Sequence, residues 1–288
     1  MSDSNSLRSF SFPAGRPALM GILNVTPDSF SDGGLYLEPK IAVDAGLRMI
    51  KEGADLVDVG GESTRPGAVP VSVDEELDRV IPVVEQLARH GVNISIDTMK
   101  PAVARRAILA GAILINDVSG FRNPEMIKVA RDTGSYACVM HMLGEPQTMQ
   151  DSPKYVDVVQ EVRNYLLRQA ETLLASGVSR ERIWLDPGIG FGKTTEHNLD
   201  LIRNLDVLRK EGYPVMLGVS RKSFIGRLLG NENGPLSSEV RLEGTLVAQV
   251  IGQLNGAQII RSHDVRASRR AMDMAAYLKP EPSSTSPA

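Results

Sequence analysis

Polar or charged side chains directly follow each of eight short apolar runs in this chain. In chain order they are Asn24, Glu62 to Arg65, Asp97, Asn116, His141, Asp186, Ser220 to Lys222, and the group Arg261, His263 and Asp264. Any one of them has an ordinary explanation, because connecting segments commonly meet solvent. Polar groups at the same position after all eight runs instead predict a binding site. Carboxylates, amides and cations held together can stabilise charge on a bound ligand.

The carboxylates and the amide in this set suit a flat heterocycle. Asp97 and Asp186 can accept paired N–H donors from the edge of a ring, and Asn116 adds a donor and an acceptor. Each aspartate also precedes a helix that begins soon after a proline, so an N-cap or a turn-forming role is the alternative for both.

Two loops and the last strand indicate an anion site next to these carboxylates. Residues 60–68, GGESTRPGA, place Ser63, Thr64 and Arg65 between glycines, which leaves them free to approach an anion. Residues 24–34, NVTPDSFSDGG, have the composition of a loop that closes over a ligand. A plain solvated turn is the alternative for both loops. Arg261 and His263 stand two residues apart on a strand and therefore point to the same side.

A lysine fits more than one chemistry, whereas a glycine-rich segment resembles two nucleotide-binding motifs and matches neither. Lys222 can form a Schiff base or can keep its charge and hydrogen-bond a ligand, and the sequence leaves both open. Residues 186–194, DPGIGFGKT, are not a Walker loop, because Pro187 stands where the first glycine is required. The same segment does not match the GxGxxG dinucleotide motif either.

The apolar runs before these residues have the length and composition of strands, and segments of helical period separate them. The predicted strands are Ala18 to Leu23, Leu56 to Val59, Asn93 to Ile96, Ile113 to Ile115, Tyr136 to Met140, Arg182 to Leu185, Val215 to Val219 and Ala257 to Ile260. The clearest helix begins near Tyr155 and ends at Gly177. Eight β/α repeats favour an α/β fold, a single-domain (β/α)8 TIM barrel, over an open doubly wound sheet.

Length and composition fit one domain in a reducing compartment. The chain has 288 residues, 42% hydrophobic and 23% charged, with a formal net charge of -3, which provides no overall field to attract nucleic acid or anionic lipid. Its one cysteine, Cys138, excludes an intramolecular disulfide, and the N-terminus has no apolar signal segment. We expect a cytoplasmic protein with no nucleic-acid or membrane partner. Residues 1–17 are the predicted lead-in, 18–279 the barrel and 280–288 a disordered tail.

Eight motifs together resemble the dihydropteroate synthase family in its bacterial form. They are MGILNVTPDSFSDGG, DVGGESTRPGA, SIDTMKP, INDVSG, VMHMLGEPQTMQ, LDPGIGFGK, GVSRKSF and RSHD. They occur in the order typical of the family and span about Ala18 to Ala276. The resemblance implies that (7,8-dihydropterin-6-yl)methyl diphosphate condenses with 4-aminobenzoate, with Mg²⁺ as cofactor, in a homodimer that sulfonamides inhibit.

The resemblance also implies a role for each matching residue. The implied pterin contacts are Asp97, Asn116, Met140, Asp186, Phe191, Gly218, Lys222 and Arg261, with Asp97, Lys222, Arg65 and Arg261 as catalytic residues. The implied diphosphate contacts are Asn24, Thr64, Arg65, Arg261 and His263, with Asn24 as the metal ligand. The implied 4-aminobenzoate contacts are Phe30, Thr64, Arg65, Pro66 and Ser223.

Two other functions fit part of this pattern. A pterin-binding methyltransferase barrel would share the aspartate and asparagine contacts but would not need the STRPG loop or a metal at Asn24. A catalytically silent relative that binds pterin would keep the same residues, and measured turnover distinguishes it from an enzyme.

Overall fold

Eight parallel strands alternate with helices in the computed structural model, which describes residues 9–26, 38–63, 69–144, 149 and 153–278. The strands are β1 Ala18–Asn24, β2 Leu56–Gly60, β3 Ile94–Asp97, β4 Leu114–Asp117, β5 Tyr136–Met140, β6 Ile183–Asp186, β7 Met216–Gly218 and β8 Ile259–Ser262. The helices are α1 Glu38–Lys51, α2 Val73–Arg89, α3 Pro101–Leu109, α4 Pro124–Thr133, α5 Val158–Ser176, α6 Thr195–Arg203, α7 Leu205–Arg209, α8 Ser223–Leu229, α9 Leu242–Leu254 and α10 Val265–Leu278. Single 3₁₀ turns occupy Arg180–Arg182 and Ser238–Val240.

The strands form one sheet that closes on itself. Their order is β6-β5-β4-β3-β2-β1-β8-β7, and a parallel bridge between Leu185 and Val215 joins the two ends. The backbone N–H of Leu185 also donates to the carbonyl oxygen of Pro214 over 2.9 Å. The predicted (β/α)8 TIM barrel is therefore confirmed, and an open doubly wound sheet is excluded.

Side chains alternate between two apolar layers along each strand, as the two-residue period of a strand requires. On β1, Leu19 and Leu23 belong to a large core between the strands and the surrounding helices. Met20, from the other face of the same strand, belongs to a second cluster with Leu56, Cys138 and other residues inside the barrel. This second cluster makes the lower half of the barrel a packed core rather than a channel.

Aromatic rings close the amino-terminal end of the barrel. Phe10 and Phe12, from the segment before β1, each lie with their ring centroids 5.5 Å from that of Trp184. The backbone N–H of Phe10 donates to the hydroxyl oxygen of Tyr136 over 3.0 Å. Since this end is filled, the carboxyl ends of the strands form the open mouth of the barrel.

Element boundaries differ from the predicted ones by a few residues. The helix predicted to begin near Tyr155 begins at Val158, because the side chain of Asp157 caps it by accepting from the backbone N–H of Gln160. Its end at Gly177 is confirmed, with φ 103° in the left-handed region. The last strand begins two residues later than predicted, so Arg261 lies within β8.

Two further predictions concern the chain as a whole. No helix in the described ranges is both long and apolar enough to span a membrane. The predicted tail, residues 280–288, and most of the lead-in, residues 1–8, lie outside the described residues, so the domain boundaries stay predictions.

Candidate active site

The uppermost layer of inward-facing residues lines the mouth of the barrel. Parallel pairing sets Asn24 beside Gly60, Gly60 beside Asp97 and Asp97 beside Asn116 in one row across β1 to β4. Met140 pairs with Asp186 on β5 and β6, and Gly218 pairs with Arg261 on β7 and β8. The structure therefore brings seven predicted site residues to one rim: Asn24, Asp97, Asn116, Met140, Asp186, Gly218 and Arg261.

A hydrogen-bond network joins three of these rim residues, Asp97, Asn116 and Arg261, to the buried Asp58 of β2. Arg261 donates from Nε to Asp58 Oδ2 over 2.6 Å and from a terminal nitrogen to Asp97 Oδ2 over 2.7 Å. Asn116 Nδ2 donates to Asp58 Oδ2 over 3.0 Å. Because a carboxylate only accepts, this contact fixes which end of the Asn116 amide carries the oxygen.

Three acceptor atoms of the network have no hydrogen-bond partner among the described residues. They are Asp58 Oδ1, Asp97 Oδ1 and Asn116 Oδ1, and all three are buried. A buried acceptor without a donor carries a desolvation cost of about 1–3 kcal/mol, which a ligand with N–H groups would relieve. The site is thus complementary to a ligand that presents several donors.

Lys222 faces this network from the loop between β7 and α8. Its Nζ donates to the backbone oxygen of Ile189 and lies 4.4 Å from the centroid of the Phe191 ring. Asp186 lies at the end of β6, where its Oδ1 accepts from the backbone N–H of Gly188 over 2.7 Å. Lys222, Phe191 and Asp186 are therefore brought together by the segment that follows β6.

An apolar cluster forms one wall of the mouth. Met140 belongs to it together with Val118, Met142 and Met149, and Phe191 packs against them. Met140 is 3% exposed, so its side chain packs within this wall and not in solvent. A polar rim above such an apolar wall is typical of small-molecule sites.

His263 and Ser223 lie on the β7–β8 side of the mouth. The His263 ring nitrogen Nδ1 is 3.0 Å from Ser220 Oγ, and that hydroxyl also accepts from the backbone N–H of His263 over 3.1 Å. Ser223 is the first residue of α8. Four further predicted site residues, Phe30, Thr64, Arg65 and Pro66, lie outside the described residues.

Sequence comparison identifies the family. A family model described as pterin binding enzyme matches residues 20–263. The dihydropteroate synthase of Escherichia coli strain K12 is 48% identical over 257 residues, which cover 89% of this chain and 89% of that protein. The chain belongs to the dihydropteroate synthase family.

Solved structures of this family share the fold. The Yersinia pestis dihydropteroate synthase with a sulfonamide drug complex superposes with a TM-score of 0.87 at 44% identity, covering 95% of this chain and 98% of that one. The Burkholderia cenocepacia dihydropteroate synthase complexed with 7,8-dihydropteroate superposes with a TM-score of 0.82 at 47% identity, covering 91% of each chain. The family resemblance of the eight motifs is therefore confirmed.

Burial changes the acid–base properties of the charged groups in this candidate site. Loss of solvent raises the pKa values of Asp97 and Asp186, although Arg261 opposes the shift at Asp97 and Lys222 opposes it at Asp186. Burial lowers the pKa of Lys222 to about 8. Burial also disfavours the charge of Arg261, but Asp58 and Asp97 outweigh it and raise the pKa of the guanidinium.

The structure tests whether Asp97 and Asp186 serve instead as N-caps or turn formers. The N-caps of α3 and α6 are Lys100 and Thr194, so neither Asp97 nor Asp186 caps the helix that follows it. Asp186 does shape the turn after β6 through Gly188, and this role coexists with its place on the rim.

The sequence did not predict two buried residues near the mouth, Asp58 and Lys193. Asp58 lies inside β2 and not after it, so a search restricted to strand ends misses it. A charged residue within the apolar run LVDVG was the available signal. Lys193 lies in the glycine-rich segment after β6 and is 1% exposed. Its burial had no signal in the sequence, because lysines are mostly exposed.

Proposed function

We propose that the chain condenses (7,8-dihydropterin-6-yl)methyl diphosphate with 4-aminobenzoate, forming 7,8-dihydropteroate and diphosphate in folate synthesis. The observation that carries the proposal is the buried network of Asp58, Asp97, Asn116 and Arg261, with its three acceptors that lack donors. A dihydropterin presents several N–H groups on one flat ring, which matches these acceptors. The solved relative with bound 7,8-dihydropteroate supports the same chemistry.

The proposed pterin site uses the rim residues in complementary roles. Asp186 accepts from the amino group and the adjacent ring N–H, and Lys222 donates to ring acceptors. Asn116 and Asp97 take further ring contacts, and Arg261 lies over the ring. Met140, Phe191 and Gly218 supply the apolar surroundings. Gly218 leaves room because even an added Cβ would lie 3.9 Å from the Arg261 side chain.

Binding of magnesium is part of the proposal, with Asn24 as its protein ligand. Asn24 ends β1 at the mouth, one strand from Gly60 and two from Asp97. A single amide oxygen fits Mg²⁺, which keeps several waters and is commonly held by one or two protein oxygens plus substrate phosphates. When bound there, the ion would neutralise charge on the diphosphate.

The proposed reaction is a displacement at the methylene carbon of the pterin. The C–O bond to diphosphate breaks with its electron pair on the leaving oxygen, the amine nitrogen forms the new C–N bond, and that nitrogen then loses a proton. Thr64, Arg65, Arg261 and His263 bind the developing diphosphate, and the Asp97 carboxylate offsets positive charge that develops on the pterin-methyl carbon. No covalent bond to Lys222 is required, so we propose that it acts as a charged donor.

The second substrate is proposed to enter against Phe30, Thr64, Arg65, Pro66 and Ser223. Sulfonamides resemble 4-aminobenzoate in shape and should compete with it. The relative whose structure contains a sulfonamide drug supports this part of the proposal.

A homodimer in the cytoplasm completes the proposal. On α9, Val247, Ile251 and Leu254 lie on successive turns and are 65%, 41% and 50% exposed, an apolar row that suits an isologous interface between two copies of the chain. In the cytoplasm the buried thiol of Cys138 would remain reduced.

A direct assay tests the activity. Purified protein is mixed with the pterin diphosphate, 4-aminobenzoate and Mg²⁺, and diphosphate release and dihydropteroate formation are followed together. We expect equal amounts of both products, and removal of Mg²⁺ by chelation should slow the reaction. Pterin binding without product formation would instead identify a catalytically silent relative.

A further inference from the structure

Lys193 is a buried amine to which the proposed reaction gives no role. It ends the loop between β6 and α6 and is 1% exposed. Burial lowers its pKa well below the usual lysine value. A buried amine is costly unless its hydrogen-bonding capacity is satisfied, so the groups around Nζ indicate why the chain keeps a lysine here.

Two backbone carbonyl oxygens and one imidazole nitrogen surround the Lys193 amine. Nζ lies 2.9 Å from Nδ1 of His141, 3.3 Å from the backbone oxygen of His141 and 3.0 Å from the backbone oxygen of Phe191. Burial lowers the pKa of His141 to about 2, which keeps its imidazole neutral. A charged Lys193 donates to all three atoms, and a neutral one donates to the two carbonyls and accepts from Nδ1–H. The contacts therefore survive in either protonation state.

These contacts join two segments that both line the pterin side of the mouth. His141 directly follows Met140 at the end of β5, and Phe191 belongs to the β6–α6 loop. Both Met140 and Phe191 belong to the apolar wall. The same loop supplies the backbone oxygen of Ile189 to Lys222. Displacement of this loop would move the Phe191 ring and release a contact of Lys222 at the same time.

The β6–α6 loop and the segment after β5 are in close backbone contact. At Gly188 an added Cβ would lie 1.8 Å from the backbone oxygen of His141, and at Gly192 it would lie 2.6 Å from Cβ of Leu143. Because Lys193 is 1% exposed where these segments touch, its amine must find its hydrogen-bond partners in the protein. Those partners come from both segments.

We propose that Lys193 is a positioning residue for pterin binding, which holds the Phe191 loop against His141 at the end of β5 and so sets the width of the pterin slot. The inference rests on the proposed function, because it assigns Lys193 to one of the two substrates. Its effect should appear in the KM for the pterin diphosphate and not in the KM for 4-aminobenzoate.

Two pairs of variants test the role. Lys193→Met keeps the length of the side chain and removes the hydrogen bonds, and Lys154→Met makes the same change at an exposed lysine. His141→Asn keeps an acceptor near the position of Nδ1, whereas His141→Leu removes it, and both lose the imidazole ring. Steady-state kinetics with each substrate varied at saturation of the other, together with thermal unfolding, are measured for all four and for the unsubstituted chain.

We expect Lys193→Met and His141→Leu to raise the KM for the pterin diphosphate about tenfold or more, in line with loss of a hydrogen bond to a charged or buried group. The KM for 4-aminobenzoate should change less than about twofold, and His141→Asn should recover most of the loss.

Two results would overturn the inference. One is a fall in kcat with both KM values unchanged, which indicates only a smaller folded fraction. The other is equal pterin KM values in His141→Asn and His141→Leu, a comparison that decides the question even if Lys193→Met does not fold. Absence of turnover in the unsubstituted chain would instead contradict the proposed function.

Discussion

At the scale of single residues, Asp58 orients Arg261 and Asn116, two side chains of the proposed pterin site. It is fully buried and accepts from both Arg261 and Asn116 through the same oxygen, Oδ2. A neutral replacement would leave Arg261 with less compensating charge and would allow the Asn116 amide to turn over. In the proposed pterin site, Asp58 thus acts through its own Oδ1 and also by orienting two residues that the sequence predicted.

Asp58→Asn is expected to weaken pterin binding while the barrel still folds. The Asn side chain can still accept through its amide oxygen but lacks the carboxylate charge. Hydrogen bonds to charged groups are worth about 1.5–3 kcal/mol, so the KM for the pterin diphosphate should rise roughly tenfold. Asp78→Asn, the same change on the exposed face of α2, is the control. If the two variants have the same pterin KM, Asp58 does not orient the pterin contacts.

The lowered pKa of Lys222 predicts that catalysis depends on pH. Burial lowers its pKa to about 8, so the ammonium is present below that pH and is lost as the pH rises through it. Because the proposed role is donation by the charged form, kcat/KM for the pterin diphosphate should fall above about pH 8, and this parameter reports groups of the free enzyme.

Lys222→Arg provides the comparison for the pH profile. A guanidinium keeps its charge throughout the measured range, so the alkaline fall should move beyond about pH 10 in this variant, even if overall activity is lower. An alkaline limb at the same pH in both proteins would assign the titration to another group.

At the scale of elements, the β6–α6 loop owes its shape to three glycines with positive φ, Gly188, Gly190 and Gly192. Gly188 has φ +67° and approaches the backbone of His141 so closely that a Cβ has no room. The Asp186 carboxylate accepts from its N–H. This loop follows β6, contacts His141 at the end of β5 and carries Phe191. Its backbone geometry is therefore part of the site.

Gly188→Ala and Gly91→Ala separate backbone strain from steric clash. Both glycines have a positive φ, +67° and +76°, but an added Cβ at Gly91 meets nothing within 4 Å. We expect Gly188→Ala to lower the free energy of unfolding by about 2–3 kcal/mol more than Gly91→Ala, the usual cost of overpacking. Urea denaturation measures both, and equal losses would show that clash at Gly188 contributes nothing.

At the scale of the whole molecule, closure of the barrel converts eight separate strand ends into one site. Asn24 and Arg261 lie far apart in sequence, yet β1 pairs directly with β8. The amino-terminal end is filled by aromatic rings, which leaves the opposite end for substrates. The apolar row on α9 is exposed on the outside of the barrel, and we have proposed that it contacts a second copy of the chain.

The dimer prediction is tested by placing charge on that row. Val247→Glu combined with Ile251→Glu should convert a species of twice the chain mass into a monomer, because two buried carboxylates per subunit cannot be paired across the interface. Leu109→Glu, at an exposed apolar residue on α3, is the control. Light scattering after size-exclusion chromatography gives the masses. A monomeric parent protein, or a double variant that stays dimeric, contradicts the prediction.

The sequence by itself determined the barrel and most of its rim. The two-residue period of strands and the polar residues after them are local patterns, so Asn24, Asp97, Asn116 and Asp186 could be predicted without coordinates. Helix limits were less certain, because caps such as Asp157 act through side-chain geometry that periodicity does not contain. The assignment of residues to each substrate came from the resemblance of the motifs to a known family.

Only the tertiary structure decided which buried charges meet. Asp58 and Arg261 are 203 residues apart in the chain but share a hydrogen bond of 2.6 Å. Lys193 and His141 are 52 residues apart and lie in contact. Such pairs depend on strand register and on the closeness of two loops, and neither leaves a periodic signal in the sequence. Burial likewise sets the pKa of Lys222, since removal of water is a property of the packed barrel and not of the residue.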